Sequence, residues 1–397
     1  MRIETIKVRN FKTLKNVDMT DIPSFCVVVG ANGSGKTTLF QVFGFLKDCL
    51  TFNVRNALQK RGGFHEVLSR GAKAEEGISF ELQFRMDIAG VNRFVTYLLD
   101  IGEKGKLPYV KREILRYKRG RQGKPFHFLD FSEGQGYAIN NEEDFNKPDE
   151  ELEREQQVLD SKDLLAIKGL GQFERFKAAS AFRQLIENWH ISDFHISEAR
   201  GIKDATGYEE HLSDSGENLQ RVAKYMFENQ KETFDTIVEK MRRRVPGISN
   251  IEPKITEDGR LILKFGDGAF KEPFIERYVS DGTIKMFAYL ILLHDPKPHP
   301  VLCVEEPENQ LYPKLLSELA EEFSLYAERG GQVFVSTHSP DFLNAVSCES
   351  VFWLAKSNGY SSLVRAREDE QIVSFMRQGD KMGYLWKQGF FKGADPE

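Results

Sequence analysis

Residues 30–37 read GANGSGKT and match the pattern G-x-x-x-x-G-K-[ST]. In this pattern the loop presents backbone N–H groups to phosphate oxygens, Lys36 reaches the β- and γ-phosphates, and the hydroxyl of Thr37 ligates magnesium. The apolar run 25–29 leads into the loop, as a strand buried on both faces would. Apolar residues at helical spacing follow from Thr37 to about Leu50, so a helix N-terminus faces the phosphates. This order of strand, loop and helix predicts a nucleoside triphosphate site and disfavours a glycine-rich turn without a ligand.

The predicted ligands of this site are a nucleoside triphosphate and Mg²⁺. The residues expected to contact the nucleotide through the loop are Gly30, Ala31, Asn32, Gly33, Ser34, Gly35, Lys36, Thr37 and Thr38. Thr37 is also a predicted metal ligand, and the charge of Lys36 is expected to take part in catalysis.

Length and composition limit the class of protein. The 397 residues have room for one large domain or two to three ordinary ones, and 40% hydrophobic content suffices for a sizeable core. No apolar run approaches the roughly 18 residues that span a bilayer, and the opening MRIETIKVRNF is a strand pattern instead of a signal peptide. We therefore expect a cytoplasmic protein without a membrane segment. The formal charge of −5 argues against indiscriminate nucleic-acid coating but leaves room for a local basic patch.

The pattern of the chain predicts an α/β fold in three parts. Residues 1–140 combine a β-hairpin, the glycine-rich loop and an antiparallel β subdomain of short strands. Residues 141–245 begin with an acidic run and continue with helical patterning, so we expect a helical arm or insertion there. Residues 246–397 return to strands and helices and are expected to supply the second half of the nucleotide-binding lobe.

Two acidic residues follow the buried strand predicted at 301–304. Glu305 and Glu306 stand at its end, where a phosphate-bound magnesium needs an acidic group. We expect Glu305 to hold the metal, directly or through water, and Glu306 to orient and polarise the attacking water. Successive strand residues point in different directions, so adjacent carboxylates can serve both roles. The alternative, two surface glutamates after a core strand, is less favoured in a chain that also carries the phosphate loop.

Two further motifs are ambiguous from the residues alone. In VSDGT, Ser280 or Asp281 is a natural N-cap for the apolar helix that follows, and Gly282 permits close approach of a backbone. The same features also describe a well-capped core helix. In STHSP, His338 follows another buried strand, where a lone histidine is more often structural than catalytic.

The order GANGSGKT, SDGT, VLCVEEPEN and STHSP resembles the ABC-type ATPase heads of the RecF, SMC and OLD (overcoming lysogenisation defect) group, in particular the stand-alone AAA-like ATPases. The resemblance covers roughly residues 1–50 and 210–345. It implies a P-loop NTPase fold of the ABC-ATPase type, with the antiparallel subdomain and the helical insertion added to it.

The resemblance also implies roles that the residues alone leave open. Ser280 and Gly282 would form the signature motif, which contacts the γ-phosphate of ATP bound to the opposite subunit. His338 would be a catalytic switch histidine that senses the γ-phosphate, and Asn309 would lie in the loop that joins the two sites. The implied assembly is a head-to-tail homodimer with two ATPs between its subunits.

This sequence departs from the family pattern at several positions. The signature reads SDGT, unlike the SGGQ of transporters, and Glu305 stands where aspartate is commoner. We predict that Gln172, in LGQFERF, is the glutamine that links the ATP site to the arm; the alternative is an exposed helix residue.

The function implied by the resemblance is an ATP-binding and ATP-hydrolysing molecular switch whose dimer opens on hydrolysis. It would control a DNA-directed or effector partner in phage defence or DNA repair. The 59 residues after His338 contain no D-x-D pair with which to hold two metals, so we expect no nuclease within them. A Toprim-like or other effector protein is the expected partner.

A RecF-like DNA-binding clamp without a dedicated effector is the first alternative. Its most basic stretch consists of Lys111, Arg112, Arg116, Lys118, Arg119, Arg121 and Lys124, and a shorter basic run occupies 242–244. Both are also compatible with solvated hairpin and helix surfaces. The ATPase subunit of a membrane transporter is a weaker alternative, because the long insertion before the signature and the EEPEN sequence do not resemble transporter subunits.

Overall fold

The computed structural model describes residues 2–88, 90–118, 125–140, 152–201, 203, 204, 207 and 209–394. The strands are β1 (Arg2–Phe11), β2 (Leu14–Met19), β3 (Phe25–Val29), β4 (Ile78–Ile88), β5 (Val91–Lys104), β6 (Leu107–Tyr117), β7 (Phe126–Ser132), β8 (Gln135–Ile139), β9 (Arg154–Val158), β10 (His190–Ser192), β11 (Lys203–Asp204), β12 (Ile248–Ile255), β13 (Arg260–Asp267), β14 (Phe274–Ile275), β15 (Val301–Glu305), β16 (Gln332–Ser336), β17 (Val351–Ser357) and β18 (Tyr360–Arg365). The helices are α1 (Lys36–Thr51), α2 (Val54–Gln59), α3 (Phe64–Val67), α4 (Ala166–Leu170), α5 (Lys177–Glu187), α6 (Ile196–Ala199), α7 (Leu219–Asn229), α8 (Lys231–Arg244), α9 (Asp281–Leu293), α10 (Leu316–Glu328), α11 (Pro340–Leu343), α12 (Glu370–Arg377) and α13 (Met382–Lys387).

An eight-stranded antiparallel sheet has the order β2-β1-β4-β5-β6-β7-β8-β9. Its strands alternate between buried and more exposed residues; in β4, for example, Ile78, Phe80 and Leu82 are buried while Ser79 and Glu81 are partly exposed. Such alternation is expected of an antiparallel sheet with one face on a core. The predicted antiparallel β subdomain is therefore confirmed, and the N-terminal hairpin β1–β2 forms one edge of it.

A six-stranded sheet positions the predicted site. Its order is β10-β15-β16-β3-β17-β18, and all neighbours are parallel except β17 and β18. Those two strands form a hairpin through Asn358 and Gly359, which both have positive φ, as a tight two-residue turn requires. Because β3, β10, β15 and β16 are parallel, their carboxyl ends share one edge, where open α/β sheets bind ligands. A smaller sheet joins β11, β13 and β12, with β14 paired to β13.

The strands of the six-stranded sheet separate two hydrophobic cores. From β3, Cys26 and Val28 enter the core shared with α1 and the eight-stranded sheet. Val27 and Val29 enter the other core, which α7, α8, α9 and α10 cover. The period of two in a strand produces this division, and it explains why all five residues of β3 are buried.

The expected helical arm at 141–245 needs correction in its described part. Residues 152–245 contain α4 to α8, but they also contain three strands. Of these, β9 pairs with β8 in the antiparallel sheet, and β10 pairs in parallel with β15. The amphipathic helices dominate the sequence pattern here, whereas β10 has only three residues, too few to show a period of two. Residues 141–151 lie outside the described residues, and the division of the chain into three parts stays a prediction.

Within the described residues, each helix is too short or too polar to cross a membrane.

Candidate nucleotide site

The glycine-rich loop connects β3 to α1. Gly33 and Gly35 have φ of 77° and 110°, in the left-handed region where glycine is favoured. A Cβ atom on Gly35 would lie 2.2 Å from Oγ of Ser361, so the packing also requires glycine there. The hydroxyl of Ser361 in turn donates a hydrogen bond to the carbonyl of Ser34 at 2.6 Å. Contacts with Ser361 of β18 thus fix the loop at Ser34 and Gly35. Gly33 is not packed in this way, because a Cβ atom there would meet no atom within 4 Å.

Lys36 lies inside the loop and is only 6% exposed. Its Nζ atom donates hydrogen bonds to the carbonyl oxygens of Gly30 at 2.9 Å and Ala31 at 3.2 Å. Burial lowers the pKa of Lys36, against the opposing effect of nearby glutamates. The Oγ atom of Ser34 is buried and has no hydrogen-bond partner within the described chain. A buried cation and an orphaned hydroxyl in one loop suit a phosphate group.

Glu305 and Thr37 meet across the sheet edge. Glu305 ends β15, Thr37 lies in the first turn of α1, and both side chains line the same cavity. Burial is the main cause that raises the pKa of Glu305, the adjacent hydroxyl of Thr37 lowers it, and the charges of Glu306 and Asp193 raise it further. A carboxylate and a hydroxyl are both oxygen ligands of the kind that Mg²⁺ takes. The residues predicted to hold the metal therefore fit that ion.

Glu306 has an unusual backbone conformation that directs its side chain. Its φ is 45°, in the left-handed region, and its backbone N–H donates to the carbonyl of Ser336 at 2.9 Å. One carboxylate oxygen accepts a hydrogen bond from Nδ2 of Asn309 at 3.0 Å. The other lies 3.2 Å from Nε2 of His338, and that Nε2 atom has no hydrogen-bond partner among the described residues. The structure thus brings the predicted catalytic glutamate and histidine together.

His338 is oriented by its own backbone contacts. Its N–H and the hydroxyl of Thr337 both donate to Oε1 of Glu308, at 2.6 Å and 2.8 Å. Burial lowers the pKa of His338, and the charge of Lys36 lowers it further, whereas Glu306 and Glu308 raise it. A neutral imidazole at neutral pH is the consequence.

A cavity of about 480 Å³ lies beside Thr37 and the two adjacent glutamates. Further residues that line it are Gln41, Arg61, Asp193, Lys285 and Asn309. Among them, Lys285 donates a hydrogen bond from Nζ to the carbonyl of Asn309 at 2.8 Å. Burial lowers the pKa of Lys285 to about 8. The sequence interpretation did not assign Lys285, whose apolar neighbours on α9 suggest only a core helix.

Asp193 is a second lining residue that the sequence interpretation missed. It follows β10, whose Ser192 is paired with Val304 of β15. The parallel register therefore places Asp193 beside Glu305 at the same sheet edge. An acidic residue two positions after Ile191, in Trp-His-Ile-Ser-Asp, could have signalled it, but the strand is too short to be recognised by pattern.

The predicted signature residues lie on the surface. Ser280 is exposed and caps α9 by accepting a hydrogen bond from the N–H of Thr283. A Cβ on Gly282 would lie 2.6 Å from the carbonyl of Gln310, so glycine allows α9 to pack against that loop. Neither Ser280 nor Gly282 lines the 480 Å³ cavity of their own chain.

The predicted linking glutamine, Gln172, lies away from this cavity. Gln172 is exposed, and its side-chain amide donates to the carbonyl of Lys168 at 3.3 Å. It does not line the cavity, so the structure does not support a link between Gln172 and the nucleotide site.

The basic residues are partly neutralised. In the stretch beginning at Lys111, Arg112 forms an ion pair with Asp130 at 3.1 Å, while Arg119, Arg121 and Lys124 lie outside the described residues. In the shorter run 242–244, all three arginines form ion pairs with glutamates. Arg244 contacts Glu318 and Glu322, and is mostly buried. DNA binding by either stretch stays a prediction.

The parallel strands carry a phosphate loop, two adjacent acidic residues and a histidine, and an antiparallel sheet packs against them. This combination defines a P-loop ATPase fold of the ABC type. The chain belongs to the family described as "AAA domain, putative AbiEii toxin, Type IV TA system", whose profile matches residues 25–344.

Two further comparisons agree with the predicted resemblance to SMC and OLD proteins. The chain is 22% identical over 395 residues to the Old nuclease of Escherichia phage P2, covering 94% of this chain and 62% of that protein. It thus spans less than two thirds of the length of that relative. It also resembles the crystal structure of an Smc head bound to the C-winged helix domain of ScpA, with a TM-score of 0.53, 14% identity, and coverage of 92% of this chain and 98% of that chain. At this identity the likeness shows the fold alone.

Proposed function

We propose that this protein binds and hydrolyses ATP and acts as a nucleotide-dependent molecular switch. The observation that carries the proposal is that five side chains converge at one edge of the parallel sheet. They are Lys36 and Thr37 after β3, Glu305 and Glu306 at the end of β15, and His338 after β16. Phosphoryl transfer to water requires a cation near the phosphates, ligands for a metal ion and a carboxylate that can orient water. Lys36, the pair Thr37 and Glu305, and Glu306 beside His338 would supply these groups.

Each residue at this edge has a role in the proposal. Lys36 stabilises negative charge on the β- and γ-phosphates, and the orphaned hydroxyl of Ser34 donates to a phosphate oxygen. Glu306 aligns the attacking water and accepts its proton. Asn309 donates a hydrogen bond to one oxygen of its carboxylate, and Nε2 of His338 lies 3.2 Å from the other. Thr37 and Glu305 would hold Mg²⁺, which, when bound, neutralises phosphate charge.

The site is proposed to be completed by a second copy of the chain. Ser280, at the exposed N-terminus of α9, is positioned to meet a phosphate of the opposite subunit, where the helix dipole favours an anion. Tyr278 stands two residues before Ser280, and Tyr312 stands two residues after Gln310, whose carbonyl packs against Gly282. The two tyrosines are 73% and 64% exposed. Exposed tyrosines are typical of interface residues. The proposed assembly is a homodimer around two ATPs.

The output of the switch is proposed to be a separate effector protein. The phage relative is named as a nuclease, and the Smc head is described in complex with ScpA. By analogy we propose that ATP-driven opening and closing of the dimer controls a Toprim-like or other DNA-directed effector, in phage defence or DNA repair. Copurification from the native host, followed by mass spectrometry with and without ATP, tests for that partner.

A mixing experiment tests the composite site. Lys36→Ala disables the loop of its own chain, whereas Ser280→Arg disables the signature that the chain offers to its partner. Each variant alone should have no ATPase activity. In a mixed dimer, one of the two sites combines an intact loop with an intact signature, so random mixing should restore about a quarter of wild-type sites. Folded variants whose mixture stays inactive would contradict the composite site.

A further inference from the structure

Three histidines and one aspartate cluster at the amino end of β15, at the opposite edge of the sheet from the phosphate loop. Asp295 and His299 precede β15, and His211 comes from the segment before α7. One ligand atom from each of these three residues lies within 4.8 Å of the others. His299 and His211 also line a cavity of about 410 Å³. The proposed nucleotide chemistry uses none of them.

The hydrogen bonds of His299 leave one nitrogen free for a ligand. Its Nδ1 atom lies 3.2 Å from the carbonyl oxygen of Asn188, to which it can only donate. The proton is therefore on Nδ1, and Nε2 carries a lone pair. That Nε2 atom is buried and has no hydrogen-bond partner among the residues described. A backbone carbonyl behind a free imidazole nitrogen is the usual arrangement of a metal-binding histidine.

Asp295 supplies negative charge at the same point. It is 4% exposed, and its Oδ2 atom lies 2.5 Å from Nδ1 of His211. Its other oxygen accepts the backbone N–H of Lys297 at 2.8 Å. A buried carboxylate needs charge compensation, which a bound cation would supply. His211 itself is partly exposed and opens the cluster to solvent.

His190, the first residue of β10, packs against the ring of His299. Its ring centroid is 4.9 Å from that of His299, and the residue is 3% exposed. Its Nδ1 atom pairs with Asp214 at 3.4 Å, while its Nε2 atom has no hydrogen-bond partner in the described chain. His190 therefore places a second buried imidazole nitrogen without a hydrogen-bond partner beside the cluster.

We propose that His211, Asp295 and His299 form a binding site for a divalent transition metal ion such as Zn²⁺, with a fourth coordination position left for water or a further ligand. Two imidazoles and one carboxylate match the ligand sets of zinc, whose coordination is typically tetrahedral. Mg²⁺ prefers oxygen ligands, so the site differs in chemistry from the pair Thr37 and Glu305.

Cobalt titration of the untagged, nucleotide-free chain tests the proposal, with Zn²⁺ as the competitor. Co²⁺ at this nitrogen and oxygen site should give visible ligand-field bands without the charge-transfer bands of a thiolate, and one equivalent of Zn²⁺ should abolish them. His211→Ala and His299→Ala should each weaken binding by about tenfold or more. His211 is partly exposed, so its replacement is not expected to impair folding.

Lys297→Gln is the matched control, because Lys297 lines the same cavity without being a proposed ligand. It should retain binding or strengthen it, since a nearby positive charge is removed. Glu305→Gln should also leave the cobalt spectrum unchanged. The proposal is overturned if the wild-type chain binds neither ion at micromolar concentrations, or if the folded His211→Ala and His299→Ala variants bind as tightly as wild type.

Discussion

Nε2 of His338 lies 3.2 Å from Oε1 of Glu306, although the two residues follow different strands of the parallel sheet. On its other side the Glu306 carboxylate accepts a hydrogen bond from Asn309. The carboxylate thus lies between an imidazole and an amide at the edge of the 480 Å³ cavity, an arrangement that suits its proposed role in aligning an attacking water.

Glu306→Gln should retain ATP binding and lose turnover. The amide keeps the size of the side chain and can still accept from Asn309, but it is a far weaker base than the carboxylate. General base catalysis contributes about 10²–10⁴ in rate, so we expect a loss of that order in kcat. Single-turnover hydrolysis and nucleotide-binding titrations measure the two effects separately. Hydrolysis at the wild-type rate would remove Glu306 from its proposed role.

Glu306→Gly should be more stable than Glu306→Ala, while both are inactive. The φ of 45° at this position strains any residue with a Cβ atom. Both variants lack the carboxylate, so their comparison isolates the backbone effect. We expect the free energy of unfolding of the glycine variant to be higher by about 1 kcal/mol. Chemical denaturation of both variants measures the difference, and equal stability would contradict the strain.

Gly35→Ala should impair folding and ATP binding more than Gly33→Ala. Both glycines have positive φ, which costs an alanine about 1–3 kcal/mol. Only at Gly35 would the new Cβ also collide with Oγ of Ser361, which holds the carbonyl of Ser34. Thermal unfolding and ATP titration of the two variants separate strain from collision. The packing argument would be contradicted if Gly33→Ala lost more stability and ATP affinity than Gly35→Ala.

Glu113 should make stability depend on pH. It is completely buried and accepts hydrogen bonds from Tyr97, Ala166 and Ile167, and burial raises its pKa from 4.5 to about 7. Because the folded-state pKa exceeds the unfolded one, the native chain binds the proton more tightly. The resulting stability is present below about pH 4.5 and is lost as the pH rises through 7.

The change attributable to Glu113 amounts to about 3 kcal/mol over that interval. In Glu113→Gln this part of the pH dependence should vanish. Urea unfolding of wild type and variant at several pH values between 5 and 8 measures it. Parallel pH profiles for the two chains would contradict the assignment.

The sequence predicted those parts of the site that depend on local geometry. Glycine positions identify the loop at 30–37, and a short apolar run identifies the strand that ends in the two glutamates. Both signals lie within a few neighbouring residues, so the sequence alone shows them. Asp193 escaped prediction because β10 is short and pairs with a strand more than 100 residues later. His211 and His299 likewise share a cluster only because the chain folds them together. Gln172 lies in an exposed turn after α4 and does not line the cavity, so its predicted link to the nucleotide site gains no support from the structure.

The division of β3 between two cores affects how the protein unfolds. Chains of this length often lose their structure in separate steps, one for each core. Here Cys26 and Val28 belong to one core and Val27 and Val29 to the other, so neither core can melt without releasing one side of the strand that carries the phosphate loop. The molecule should therefore denature as a single cooperative unit, and a destabilising change deep in either core should weaken nucleotide affinity even when it lies far from the loop.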